Sequence, residues 1–229
     1  MPWLELIPPV GLHVSLVAAW LAIVVLTTET LYRYTTTNPE ILRKIVHIGT
    51  GNVILLAWWF NIPAWIGIAA AIAASIVALL SYWLPLLPGV NSVGRKSLGT
   101  FFYAISIGIS IAWFWPSDAP EYAALGILIM AWGDGMAALV GQRFGCHFYQ
   151  VWGMKKSWEG SSAMFVVSAI VSSLILVGTH GNVWQTWSIA IAVAVAATIL
   201  ETFSKLGLDN LTVPIGSAAL AFWFLDFRF

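Results

Sequence analysis

The chain has 229 residues, of which 60% are hydrophobic and only 9% charged, with a mean hydropathy of +0.87. So little polar surface cannot cover a water-soluble globule of this size, so the composition predicts an integral membrane protein. Ten basic and ten acidic residues give a net charge of zero, and the basic ones are dispersed, which argues against a nucleic-acid partner.

The chain opens Met-Pro-Trp-Leu-Glu with no basic stretch ahead of its first apolar run, so neither a cleavable signal nor a basic transit sequence is expected. Continuous rather than alternating apolar stretches then predict helices over approximately 12–31, 45–60, 63–84, 98–115, 121–141, 161–178, 184–201 and 211–225. The last is short and contains Pro214, leaving seven or eight spans. The expected fold is an all-α polytopic transmembrane bundle with cytoplasmic polar loops, in one domain over residues 1–229. Tryptophans and tyrosines near segment ends, such as Trp58, Trp59, Tyr82, Trp113 and Trp187, read as an interfacial aromatic belt.

After the first span, Asn38-Pro39-Glu40 places an N-cap residue before a proline and marks a helix start. Glu40, Arg43, Lys44 and His47 follow at offsets that put all four on one helical face, running from the interface into the membrane. Lipid anchoring, with Glu40 pairing Lys44, would explain the charges but not His47, Gly49, Gly51 and Asn52 one to two turns deeper. The second basic stretch, residues 89–97, nearly spells a P-loop. It lacks an adjacent Gly-Lys and a preceding strand, so it is not one, although Arg95 and Lys96 are suited either to phosphate or to interfacial anchoring.

Asp134 lies in the apolar segment 122–140, between Gly133 and Gly135. An ionisable group at that depth is costly and marks a functional-site candidate, and the glycines allow a backbone, a phosphate or a metal to come close. Residues 142–160 form the longest polar connector. Its Lys155, Lys156 and Ser157 precede a helix start, where free N–H groups and the helix dipole favour anions. Further on, Glu201, Lys205 and Asp209 recur every four residues, followed by Asn210; they add two carboxylates to the same side as Asp134. Hard divalent cations take oxygen ligands of this kind together with nucleotide phosphates. Cys146 is the only cysteine and the four histidines are scattered, so neither an intramolecular disulfide nor a zinc site is expected.

Nine of the ten basic residues fall in alternate loops, and only Arg228 falls elsewhere. By the positive-inside rule those loops are cytoplasmic. All four carry phosphate- or metal-compatible groups while the opposite loops carry almost none, which points to a cytoplasm-facing phosphate site at the mouth of a membrane cavity.

Five segments in order, PEILRKIVHIGTG (39–51), RKSLGTFFY (95–103), GDGMAALVGQRFG (133–145), KKSWEGSSAMF (155–165) and LETFSKLGLDNLTVP (200–214), resemble the polyprenol kinase family, which includes dolichol and phytol kinases. The resemblance spans nearly the whole chain and is nearest to the phytol kinases. It implies phosphorylation of a long-chain isoprenoid alcohol such as phytol by a nucleoside triphosphate, CTP in particular, with a divalent cation such as Mg2+, in a multi-pass membrane protein of bacterial, cyanobacterial type. On this reading Asp134 and Asp209 serve the metal. Arg43, Lys44, Arg95, Lys155, Lys156, Ser157, Glu159, Gly160 and Asn210 contact substrates, and His47 or Glu40 accepts the alcohol proton. Two alternatives remain. Phosphatidate cytidylyltransferases share related glycine-aspartate and lysine-serine-glutamate-glycine motifs, although this chain has DNLTVP where they carry a proline, histidine and glycine run followed by Asp-Arg pairs. A transporter with a polar intramembrane path is the other.

Overall fold

A computed structural model describes residues 9–81 and 98–226. Arg95 and Lys96 lie outside the described residues. The described residues form eight helical rods: α1 (Pro9–Tyr34); α2 (Pro39–Gly51) continued past Asn52 by α3 (Val53–Trp59); α4 (Ala64–Ser81); α5 (Gly99–Phe114); α6 (Pro120–Leu128) running through a π-helical turn (Ile129–Asp134) into α7 (Gly135–Phe144); α8 (Trp158–His180); α9 (Trp184–Phe203); and α10 (Asp209–Leu225). Six of these rods are long and apolar enough to cross a membrane; α5 is apolar but has 16 residues, and α10 has 17 and contains Pro214. The expected all-α polytopic bundle is the observed one.

Lipid-facing and core-facing surfaces follow the logic of a bilayer solvent. Leu26 and Leu174 are 65% and 71% exposed, positions that water would not tolerate in such number but lipid does. The rod from Pro120 to Phe144 runs through the middle of the bundle, with Tyr122, Ala123, Ala124 and Leu125 fully buried. Around it α8 packs on α7 and α9, α10 packs on α5, α6 and α9, α4 packs on α5, and α1 packs on α2.

Two local features differ from the sequence reading. The polar connector contains an antiparallel hairpin, β1 (Phe148–Val151) and β2 (Met154–Ser157), with Tyr149 opposite Lys156 and Gln150 opposite Lys155. Its two-residue turn, Trp152 and Gly153, has φ of 49° and 79°, the positive pair that matches the twist of a hairpin. The Glu201, Lys205, Asp209 stripe is not one helical face. The chain leaves the helix after Phe203 and turns through Leu206 and Gly207, both at positive φ, so Asp209 instead opens α10.

The two ends of the bundle are held by different polar contacts. At the end away from the hairpin, the buried Tyr122 hydroxyl donates to Asp226 Oδ2 at 2.7 Å and lies 2.9 Å from His180 Nε2, tying α6 to the ends of α8 and α10. At the other end lie the hairpin and the 204–208 turn. Single Gln150→Cys in a Cys146→Ser background is therefore expected to react with an impermeant thiol reagent from the cytoplasmic side only, and Ser117→Cys and Asn182→Cys from the opposite side only. Reversed labelling at Gln150 would overturn the orientation.

Candidate functional site

Asn38 Oδ1 accepts from Glu40 N at 2.9 Å and Pro39 occupies the first turn, which starts α2 where the sequence places it. The helix then presents Glu40, Arg43, Lys44 and His47 along one side, the first two paired with each other and the last two facing Asp134. Glu40 pairs with Arg43 rather than with Lys44. Lys44, its side chain 3% exposed, forms an ion pair with Asp134, ninety positions away in the chain. His47 Nε2 lies 3.4 Å from Asp134 Oδ2 and 3.2 Å from the Met130 carbonyl. A carbonyl can only accept, so Nε2 carries hydrogen and a neutral ring keeps its lone pair on Nδ1. Tyr103 donates to the His47 carbonyl at 3.1 Å, and the two rings lie 4.3 Å apart.

The π-helical turn sets this arrangement. It ends at Asp134 and includes Met130, so one distortion supplies both the carboxylate and the carbonyl that His47 meets. The flanking glycines serve helix packing. A Cβ on Gly135 would stand 2.8 Å from Ile48 of α2, and one on Gly133 would stand 2.8 Å from Met164 Sδ of α8. What comes close to Asp134 through the glycines is thus two helices, of which α2 brings Lys44 and His47 to it.

The hairpin separates the two lysines that adjacency in sequence had grouped. Successive strand residues point to opposite faces. Lys156 turns inward, where Nζ donates to Glu201 Oε1 at 2.6 Å and to the Glu201 carbonyl at 2.5 Å, whereas Lys155 sits over the Phe148 ring at 3.7 Å. Ser157 caps α8 by accepting from Gly160 N at 3.1 Å. Glu159 holds His147 at 2.6 Å, and Gly160 packs against α7, where a Cβ would meet the Ala137 carbonyl at 3.0 Å. Glu201 and Asp209 both lie within electrostatic reach of Asp134 and Lys44. One end of the bundle therefore gathers the cations Arg43, Lys44 and Lys156 with the carboxylates Glu40, Asp134, Glu201 and Asp209.

A cavity of about 450 Å3 opens beside this cluster, within the size range of small-molecule sites. Arg43, His47, Thr100 and Asn210 line it at the charged end, and apolar residues of α1, α3, α4 and α5 line the remainder. Tyr103 and Thr100 went unassigned in the sequence reading, although both lie in the quoted 95–103 segment. Asp134 and Asp209 are carboxylates of the kind that hold a hard cation, and they act on one another electrostatically, with Lys44 offsetting part of their repulsion. At the far end, donor atoms of Glu121, His180 and Asp226 also lie within 4.8 Å of one another, but Tyr122 already bridges two of these groups.

No family model matches the chain, and no solved structure does. Curated proteins do. The chain is 51% identical over 213 residues to a phytol kinase of Synechocystis sp., a match that covers 93% of this chain and 91% of that protein. It is 28% identical over 243 residues to the chloroplastic phytol kinase 1 of Arabidopsis thaliana, covering 95% and 77% of the two chains, and 31% identical over 200 residues to a probable chloroplastic phytol kinase of Triticum aestivum, covering 79% and 66%. Identity at half of the aligned positions, sustained over almost the full length of both proteins, shows that this chain belongs to the phytol kinase family.

Proposed function

We propose that the protein transfers the γ-phosphoryl group of a nucleoside triphosphate to the primary hydroxyl of phytol, forming phytyl phosphate. The observation that carries this reading is His47, which lines the polar end of a mostly apolar cavity and is backed there by the buried Lys44–Asp134 ion pair. An isoprenoid alcohol has that same polarity, with one hydroxyl on a long hydrocarbon. The names of the relatives support phytol as the alcohol. CTP is the donor that the resemblance to polyprenol kinases implies.

Phosphoryl transfer needs in-line positioning and neutralisation of charge more than covalent help. The alcohol oxygen forms a bond to the γ-phosphorus as the bond to the bridging oxygen breaks, leaving a nucleoside diphosphate. Arg43, which lines the cavity, and Lys44 and Lys156 at the same end of the bundle are the cations we assign to the phosphates, with Arg95 outside the described residues. His47 lines the cavity and has its lone pair on Nδ1, while Glu40 is held by Arg43 at the first turn of α2, so His47 is the better placed of the two to take the alcohol proton. Asp134 and Asp209 fit a divalent cation such as Mg2+, which when bound would neutralise phosphate charge at this end of the cavity.

The test is direct. Purified protein with magnesium is given each of the four common nucleoside triphosphates together with phytol, geranylgeraniol, dolichol or diacylglycerol, and products are weighed by mass spectrometry. Phytyl phosphate and a nucleoside diphosphate are expected, and chelation of the metal should stop their formation. A nucleotide-linked lipid with pyrophosphate would mean nucleotidyl transfer instead.

A further inference from the structure

The cavity has a defined head and a defined floor. At its head, Asn210 is 6% exposed, and its Nδ2 donates to the Gly207 carbonyl at 3.3 Å, which turns Oδ1 the other way. That Oδ1 is buried without a hydrogen-bond partner, yet Asn210 lines the cavity. Buried acceptors are ordinarily satisfied, so an unpartnered one on a residue that lines a cavity is suited to a donor that arrives with a ligand. Gly207, at φ +88°, packs so closely on Gly99 that a Cβ would fall 2.6 Å from Gly99 Cα, which sets Asn210 level with the start of α5.

At its floor, Ile62 and Ile111 are 7% and 4% exposed, and Ile111 Cδ1 would stand 2.8 Å from a Cβ on Gly67 of α4. Above that contact Ala70, Ala71 and Ala74 keep the α4 wall shallow. Thr100 and Ile111, both lining the cavity, are eleven residues apart on α5, a separation of roughly 17 Å at about 1.5 Å per residue. A fully extended main chain of sixteen carbons, as in phytol and geranylgeraniol, covers roughly 19 Å from C–C bonds of about 1.5 Å, so it fills this span with a slight bend, whereas a five-unit chain of roughly 24 Å overruns it.

We propose that this cavity is a length gauge for the isoprenoid alcohol, with Asn210 Oδ1 accepting the substrate hydroxyl at the head and the Gly67–Ile111 contact stopping the tail at four isoprene units. The inference rests on the kinase reading above and adds its substrate selectivity. Asn210 is a positioning residue that holds the alcohol oxygen beside His47, and Gly67 is a specificity residue whose packing on Ile111 closes the tail end of the cavity.

The experiment measures kcat and KM for geraniol, farnesol, geranylgeraniol, phytol and geranylfarnesol in wild type, Gly67→Leu, Gly67→Ala and Asn210→Ala. Wild type should favour the four-unit alcohols and drop by about tenfold or more for geranylfarnesol, the scale of a misfit in an apolar pocket. Gly67→Leu should lower kcat/KM for phytol by about tenfold or more and leave farnesol within about threefold, with Gly67→Ala intermediate. Asn210→Ala should raise KM for every alcohol by a common factor of about ten, keep the length profile, and leave the nucleotide KM unchanged. If wild type turns over geranylfarnesol as well as phytol, or if Gly67→Leu and Gly67→Ala lower farnesol and phytol in parallel, the gauge is wrong while the kinase reading stands. The hydroxyl anchor is wrong if Asn210→Ala leaves the alcohol KM unchanged or alters the nucleotide KM. If wild type phosphorylates none of the alcohols, the kinase reading itself falls.

Discussion

Asp134→Asn is expected to lower turnover by roughly 10³-fold or more, because charge stabilisation at the transferring phosphoryl is the main contribution a protein makes to this chemistry. The same change should cost about 3–5 kcal/mol of stability, because it strands the buried Lys44 ammonium without its counter-ion. The two effects can be separated. In Asp134→Asn/Lys44→Met the buried charge is gone, so thermal stability in detergent should return toward wild type while turnover stays lost. Should the double variant recover phosphoryl transfer as well as stability, the pair would be only a structural ion pair and the metal-binding role of Asp134 would fall. The control is needed because an aspartate-to-asparagine change alone is nearly isosteric but, in this setting, far from neutral.

The second large effect is an asymmetry between neighbouring lysines. Lys156→Ala removes an inward cation whose side chain is 16% exposed and leaves Glu201 unpaired, so the nucleotide KM should rise by about 30-fold, the equivalent of about 2 kcal/mol. Lys155→Ala removes an exposed cation from over Phe148 and should change the same constant by less than about twofold, since such contacts at exposed sites are worth under about 1 kcal/mol. The alcohol KM should be unmoved in both. Equal losses in the two variants would show that the hairpin acts through net positive charge or through folding, and not through a directed contact.

The α2 face could be read in advance because its signal is local: an N-cap, a proline and a three-four spacing of charges dictate both the helix and which residues share a side. The pairing of Lys44 with Asp134 could not, since it joins residues ninety positions apart through the packing of α2 on the central rod, which no periodicity encodes. The hairpin did leave a trace. Gly153 and the strand-prone Phe148, Tyr149 and Val151 point to it, but Trp152 is not the asparagine or aspartate that usually announces such a turn, and Met154–Ser157, with two lysines, lacks the β-branched or aromatic residues that would mark a strand. The Glu201 to Asp209 spacing misled in the opposite direction. Its period was helical, yet Ser204 and Gly207 break the helix inside it, and the acids meet across a turn instead of along a face.

The π-helical turn fixes the phase of the central rod. One residue inserted into a repeat of 3.6 rotates everything after it by about 100° relative to everything before it. A helical wheel drawn through residues 120–144 as a single α-helix therefore misassigns one half whenever it fits the other. For the same reason, comparison with a related chain that lacks the insertion needs its one-residue gap inside this transmembrane rod, at 129–134, and not in a loop where gaps are customarily placed. An alignment that puts the gap elsewhere would carry Asp134 a quarter-turn or more around the helix and match it with a position that never faces α2.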